Sequence, residues 1–593
     1  MFPAVILRSL RSLKVSMRRV LLLSIVALVL FSAYHISSIS SLSSLGLHWN
    51  VSKNTPEQND DVYNANSGVD IWDWRAKRVR RAFVHAYSNY KQYASPHDEL
   101  LPLSKGRRDQ FGGFGVTVFD SLDTMYLMGL EKEFKEAVSV VRQTRFEIME
   151  QYTRISVFET IIRHLGGLLS AHSLSDDSVL LQKAEELADS LEPAFETFSG
   201  LPWSSINTAT RDPSGGYIGS LSEVASFQVE LAYLAHKTGK KRYYKRVAKL
   251  LKTLAKTVPS HYEMLPTHLS LLNGFPTEHG FSVGGGADSG HEYLLKYYLL
   301  TAQTHNSSLE LYMRGMNHML TNLLFLSPER SLLYVTDRTD DGQASHVFEH
   351  LSCFLPGLLA LGVHSLPASA FSDAPLSQGS VLARYNLSEL HMSAAIGLGE
   401  SCWLMYADQP SGLGPEEVSV FPPPVSHDPS SALSASSGLW IDAMERWREG
   451  GEEGVPPGVG QKDPEPDGTR RDYELRKPEY FLRPETIESM FYLWKTTGDV
   501  RWRERGWTIF EALERETRVE VGYASLTTVA ESQALKFNEM PSYFLAETLK
   551  YLYLLFLNED RIPLDMWVFN TEAHPLPIFN WTAWEKDMFG IKR

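Results

Sequence analysis

Several long apolar stretches of this chain each carry one or two carboxylates, and that combination restricts the fold more than any other feature. In Ser156–Ser170, SVFETIIRHLGGLLS, the ionisable groups are Glu159, Arg163 and His164. Glu159 and Arg163 stand at i,i+4, the spacing of a helical ion pair. Phe158, Ile161, Ile162, Leu165, Leu168 and Leu169 leave little of such a helix to face water. A helix apolar nearly all round is buried, and a buried glutamate needs a partner or a chemical role.

The theme recurs. Leu482–Lys495, LRPETIESMFYLWK, sets Glu485 and Glu488 one helical turn apart beside Arg483, with Pro484 suited to the first turn. Gly219–His236 carries Glu223 and Glu230 seven apart on one face of an expected helix. GGGADSGHEYLLKYYLL places Asp288 and Glu292 at i,i+4 after a glycine loop, and Met540–Phe556 holds Glu547 in an apolar and aromatic field. Asp120 and Asp123 follow the loop FGGFG, where a favourable meeting with a helix dipole is reason enough for them.

About a dozen helical segments run from residue 71 to 557 with few convincing strands. Ile71–Tyr93 reads as an amphipathic helix with Val79, Phe83, Ala86 and Tyr87 on one face. His346–Gly362 includes HLSCFLPGLLALG, where Pro356 kinks or restarts the helix and His350 stands three before Cys353. Leu387–Tyr406 and Trp502–Glu514 are further helices. Many of these are too apolar for a simple bundle. The expected fold is therefore all-α, with two concentric helix layers, the inner layer buried and its acids converging on one end of a barrel.

The chain has 593 residues and is 43% hydrophobic, enough for a large core. Its net charge of −14 argues against a nucleic-acid partner, and the basic run Lys237–Lys252 reads as a solvated helix face. Neither GxGxxG nor GxxxxGK[ST] occurs, so a nucleotide site is rejected. Arg8, Arg11, Lys14, Arg18 and Arg19 precede an apolar run from Val20 to Ile36. A cleaved signal peptide and a membrane anchor both fit. The preferred reading is a cytoplasmic tail at 1–19, a type II anchor at 20–36, a flexible stem at 37–70 and a lumenal domain at 71–593. A disordered Pro/Gly-rich insertion is expected at about 422–472. Sequons start at Asn50, Asn306, Asn386 and Asn580. The two cysteines, Cys353 and Cys402, form either one bridge or two buried thiols.

Asp120, Glu159, Glu223, Glu230, Asp288, Glu292, Glu485, Glu488, Glu547 and Glu572 cannot gather in one pocket without neutralising partners. Oxygen ligands without a Cys/His cluster point to a hard cation, calcium rather than zinc. Paired carboxylates flanking a bond are the usual means of glycoside hydrolysis.

In DSLDT, FETIIRHLGGLLS, ADSGHEYLLK, HLSCF, SGLGPE, LRPETIES, FLAETLKYLYLLF and FNTEAH, the chain resembles the class I α-1,2-mannosidases, glycoside hydrolase family 47. The likeness runs from roughly residue 71 to 579, interrupted by the insertion. It implies an (α/α)7 barrel, inverting hydrolysis of terminal α-1,2-mannose from high-mannose N-glycans, and a calcium ion. By motif, it implies that Glu159 is the general acid, Glu485 the base that activates water, and Asp288 a third essential acid. Thr571 would bind calcium through its carbonyl and hydroxyl. Glu230, Glu292, Glu488, Glu547 and Glu572 would hold the ion's waters or sugar hydroxyls. Arg163, His350 and Arg483 would position substrate, with Tyr543 near the sugar where a phenylalanine is common. Cys353 and Cys402 match the family disulfide. Gly286, Gly290, His291 and Ala225 depart from common family residues and leave branch preference open. The implied protein is a monomer anchored in the ER or Golgi membrane. Rivals are a likeness to the ER degradation-enhancing mannosidase-like proteins, as a lectin or slow trimmer, and an inactive glycan-binding barrel.

Overall fold

A computed structural model describes Tyr63 and residues 69–591, apart from 149–152, 259–263, 423–437, 467 and 469. The expected tail, the anchor, nearly all of the stem, and Asn50 lie outside the described residues. Among the described residues no helix is long and apolar enough to cross a membrane.

The chain from Ile71 to Phe556 alternates between outer and inner helices in seven pairs. In order they are α1 (Ile71–Tyr93), α2 (Val116–Leu127), α3 (Glu131–Gln143), α4 (Gly166–Ser175), α5 (Ser178–Leu191), α6 (Gln228–Thr238) and α7 (Lys241–Thr257). Then come α8 (Asp288–Leu300), α9 (Asn306–Asn322), α10 (Leu355–Ser365), α11 (Leu387–Ala407), α12 (Glu485–Thr497), α13 (Arg501–Glu516) and α14 (Leu549–Phe556). Even-numbered helices pack on one another in a closed ring, with the turn leading into α14 returning to α2. Odd-numbered helices cover them from outside.

Sequence patterning decides the layer. Helix α3 buries Phe134, Ala137, Val138 and Val141, a single stripe at helical spacing, so its other face meets water. Helix α8 buries every residue from Ser289 to Leu300 and can only be internal. On α1, Val79, Phe83, Ala86 and Tyr87 are buried as expected.

Short strands decorate the helix ends. The ones that matter for the site are β1 (Ile218–Ser220), paired with β2 (His268–Ser270), and the hairpin β3 (Trp567–Phe569) with β4 (Pro575–Pro577). The turn of the second hairpin reaches most of the inner ring. Asn570 bonds the Ile162 carbonyl ahead of α4 and Glu230 on α6. Lys296 of α8 and Lys550 of α14 donate to the Asn570 and Ala573 carbonyls. His574 meets Asp120 and Asp123 of α2. A turn that touches so many inner helices lies on the barrel axis. Gly166 permits this approach, because a Cβ there would stand 2.6 Å from the Asn570 amide nitrogen, and Gly167 lets α4 pack on α2, where a Cβ would stand 2.4 Å from the Phe119 carbonyl.

The structure corrects four expectations. Asp120 and Asp123 sit within α2 rather than at its dipole end, fully buried against His574, Lys550 and Arg163. Glu223 and Glu230 do not share a helix. The backbone breaks at Ser226 (φ −124°, ψ 65°), leaving Leu221–Ala225 as a separate short helix. The lead-ins to α4 and α14, Thr160–Leu165 and Phe544–Thr548, are π-helical, which periodicity at 3.6 residues does not signal. Within the insertion expected to be disordered, the described residues include ordered structure. Trp440–Glu449 is a helix whose Trp440 is fully buried, and buried Asp472 accepts from the Glu329 and Arg330 amides. A tryptophan and a capping aspartate anchor a segment that its Pro/Gly content alone marks as loose.

Cys353 and Cys402 are bonded, with Cα atoms 5.9 Å apart, tying the turn ahead of α10 to α11. Asn306, Asn386 and Asn580 are exposed, and Asn386 also caps α11.

Candidate active site

A cavity of about 360 Å³ opens at the N-terminal ends of the inner helices. Its wall includes Glu159, Asp288 and Glu485 together with Arg163, Glu292, Arg483, Glu488, Tyr543, Glu547, Thr571 and Glu572. Of the expected site residues, Glu230 and His350 stand behind the wall. Gly286 lines it, whereas Gly290, His291 and Ala225 do not.

Glu485 is the first residue of α12. His350 Nδ1 lies 2.8 Å from Glu485 Oε2, and His350 Nε2 lies 2.7 Å from the Tyr406 hydroxyl. Arg483 stands 3.7 Å from the other Glu485 oxygen and is itself held by Glu416 at 2.8 Å. Burial alone would push the Glu485 carboxyl up. The His350 hydrogen bond and the Arg483 charge outweigh it and hold the carboxyl below its ordinary value.

Asp288 behaves oppositely. Burial pushes it up to about 6, although the Ser222 hydroxyl (2.6 Å) and the Ser289 amide (2.7 Å) both donate to it. Glu159 precedes the π-turn of α4, its amide capped by Ser156 Oγ at 3.2 Å. Arg163 Nε donates to Glu159 Oε2 at 2.7 Å, while its Nη1 reaches Glu572 and Ser542. The expected i,i+4 pair is thus present, extended into a network. The Tyr543 ring lies between Arg163 and Arg483, 5.6 and 5.8 Å from their guanidinium carbons, and its hydroxyl donates to the Phe481 carbonyl.

The remaining acids crowd the floor. Burial, with repulsion from Glu292 and Glu485, pushes Glu488 up to about 8. Burial and the neighbouring Glu572, Glu485 and Glu488 push Glu547 well up. Burial raises Glu230 to about 7. Its Oε1 accepts from Tyr293 and Asn570, while its Oε2 has no partner. Lys296 pairs with Glu292 and lies 3.7 Å from Glu488. Acids therefore outnumber cations around Thr571. Among the described residues no three His, Cys, Asp or Glu converge to bind a metal directly. An acid-rich floor, an orphaned carboxylate oxygen and a hydroxyl residue suit a hard cation held largely through water.

Sequence reasoning missed the residues that orient these groups. Ser222, Tyr293, Lys296, Tyr406, Ser542 and Asn570 each bond a wall residue or its support. Of these, Tyr293 and Lys296 lie within ADSGHEYLLK, with Lys296 at i,i+4 from Glu292, and Asn570 directly precedes Thr571 and Glu572 in the tail motif, whereas Ser222, Tyr406 and Ser542 carried no signal.

The fold and its acids have counterparts. The profile of Glycosyl hydrolase family 47 matches residues 82–578. The endoplasmic reticulum mannosyl-oligosaccharide 1,2-alpha-mannosidase of Homo sapiens is 36% identical over 523 residues, covering 86% of this chain and 64% of that protein. A mannosyl-oligosaccharide 1,2-alpha-mannosidase of Arabidopsis thaliana is 35% identical, covering 85% of this chain and 79% of that protein. The alpha-1,2-mannosidase from Trichoderma reesei superposes with a TM-score of 0.72 at 27% identity, over 86% of this chain and 99% of that one. With the match running the length of a barrel whose wall carries Glu159, Asp288 and Glu485, the chain belongs to glycosyl hydrolase family 47, and its fold is the (α/α)7 barrel.

Proposed function

We propose that this protein hydrolyses terminal α-1,2-linked mannose from high-mannose N-glycans, with inversion at the anomeric carbon. One observation carries the reading. Three acids, Glu159, Asp288 and Glu485, face one cavity, and the environment keeps Glu485 ionised while it pushes Asp288 up. Paired carboxyls on one cavity wall, one of them held ionised, are the arrangement that glycoside hydrolysis uses.

Glu485 takes a proton from water as the water oxygen attacks the anomeric carbon. Glu159 gives a proton to the departing glycosidic oxygen, and the bond to that oxygen breaks. His350 holds the Glu485 carboxylate in place through Nδ1. Asp288, held by Ser222 and the α8 N-terminus, fixes the sugar or the water. Arg163 and Arg483 position hydroxyls and exclude an uncompensated negative charge. A calcium ion at Thr571, held through the carbonyl and hydroxyl of that residue, would offset the floor acids and bind sugar hydroxyls when present. Glu230, Glu292, Glu488, Glu547 and Glu572 would hold its waters. The body is proposed to work in the lumen of the secretory pathway behind a type II anchor, as the basic and apolar N-terminus and the exposed sequons support.

The test is glycan profiling of the soluble body on a high-mannose oligosaccharide, with calcium or EDTA, beside Glu485→Gln. Mannose loss abolished by the substitution supports hydrolysis. Glycan binding without trimming by the unaltered protein overturns it in favour of a lectin.

A further inference from the structure

The wall of the cavity continues into a surface that the reaction does not use. Ser220, the last residue of β1, lines the cavity opposite Gly286, where a Cβ would lie 3.5 Å from Ser220 Cβ. In the antiparallel register His268 is opposite Ser220, and Ser270 is opposite Ile218. Directly opposed residues share a face of the sheet, as do residues two apart on one strand. Ile218, Ser220, His268 and Ser270 therefore form one face, and it is the face that carries the cavity wall. The opposite face is core. Leu269 is fully buried, and a Cβ on Gly219 would collide with Val224 at 2.4 Å.

This face is open and mixed in character. Ile218 is 56% exposed. His268 Nδ1 bonds the Glu278 carboxylate, and the two side chains are 40% and 34% exposed. Pairing fixes the geometry of both groups while leaving the second imidazole nitrogen and the second carboxylate oxygen available. A fixed polar pair beside an exposed aliphatic side chain is the composition that recognises a sugar, with hydroxyls on its edge and C–H groups on its face. A cavity of about 360 Å³ is too small for a branched oligosaccharide, so the sugars not being cleaved must rest outside it.

We propose that the β1–β2 face, with the His268–Glu278 pair as polar anchor and Ile218 as apolar contact, is a saccharide-binding subsite for the inner sugars of the glycan. The proposal rests on the glycosidase reading and adds to it a surface that selects large substrates over small ones.

The test compares His268→Ala, Glu278→Gln and Ile218→Ser with the unaltered calcium-supplemented protein on α-1,2-mannobiose, a free high-mannose oligosaccharide and an intact high-mannose glycoprotein. Losing one such contact is expected to raise KM for the oligosaccharide roughly three- to ten-fold. It should leave kcat, and kcat/KM for the disaccharide, unchanged. Equal losses on the disaccharide and the free oligosaccharide, or none on either, overturn the subsite. An effect confined to intact glycoprotein and absent on the free oligosaccharide assigns the face to polypeptide and also overturns it. Should the unaltered protein cleave none of these substrates, the glycosidase reading fails by itself. Calorimetric binding of the same oligosaccharide then decides the subsite, which stands if His268→Ala weakens affinity and falls if it does not.

Discussion

His350 and Glu485 form a hydrogen bond of 2.8 Å that fixes the chemistry of both. An ionised carboxylate only accepts, so Nδ1 of the imidazole carries the proton, while Nε2 lies 2.7 Å from the Tyr406 hydroxyl. The buried carboxylate is thereby kept in the form a general base requires. Replacing His350 with Phe removes the donor and lets burial dominate, so the Glu485 pKa rises. The acidic limb of the kcat/KM profile should move to higher pH. A profile displaced downward, or not at all, would contradict this coupling.

Glu159 and Glu485 separate in their dependence on the leaving group. Glu159→Gln should lower kcat on the glycan by about 10²–10⁴-fold. Much of that loss should return on α-mannosyl fluoride, whose leaving group needs no proton. Glu485→Gln should show no such recovery, because water still requires its base. Equal recovery by both variants would reverse or abolish the assignment.

Asp288 has a cost in stability at neutral pH. Its pKa rises from 3.8 unfolded to about 6 folded, so between those values the folded state binds the extra proton. Stability therefore falls as pH rises through this window, by about 2–3 kcal/mol once above 6. Asp288→Asn should unfold at a higher temperature than the unaltered protein at pH 7 and at a similar one below pH 4. Thermal melts across pH test this, and a uniform difference would defeat it.

Calcium removal should abolish trimming and lower Tm, with both restored by added calcium. At about a hundred times the dissociation constant, a bound ion contributes roughly 2.7 kcal/mol. Thr571→Ala should weaken calcium binding measured by calorimetry. Full activity after verified metal removal would end the calcium assignment.

Asn570 supports the floor. Its amide nitrogen donates to Ile162 and Glu230, and its oxygen accepts from the Glu572 and His574 amides. Asn570→Ala leaves buried donors and acceptors unpaired, and should cost about 2–4 kcal/mol in chemical denaturation. A change within experimental error would show that water replaces the side chain.

Much of this was legible in the order of residues. The buried face of α1 followed from Val79, Phe83, Ala86 and Tyr87, and burial of the segment around Glu159 followed from apolar residues on nearly every side of it. The acids stood out because Glu159, Asp288, Glu485 and Glu547 interrupt apolar runs with no local reason to do so. Local sequence therefore determined which helices are inner and which side chains are chemically expensive to bury.

Only the tertiary structure decided how those acids are tuned. Glu485 and Asp288 each begin an inner helix and read alike in sequence. One is held down by His350, 135 residues away, and Arg483, while the other is pushed up by burial despite Ser222, 66 residues away. The axial turn at Asn570, the break at Ser226 and the anchoring of Trp440 likewise depend on partners distant in the chain. Periodicity reports what a residue's own helix can bury. The charge state of a buried carboxylate depends on what the rest of the fold brings within hydrogen-bonding reach.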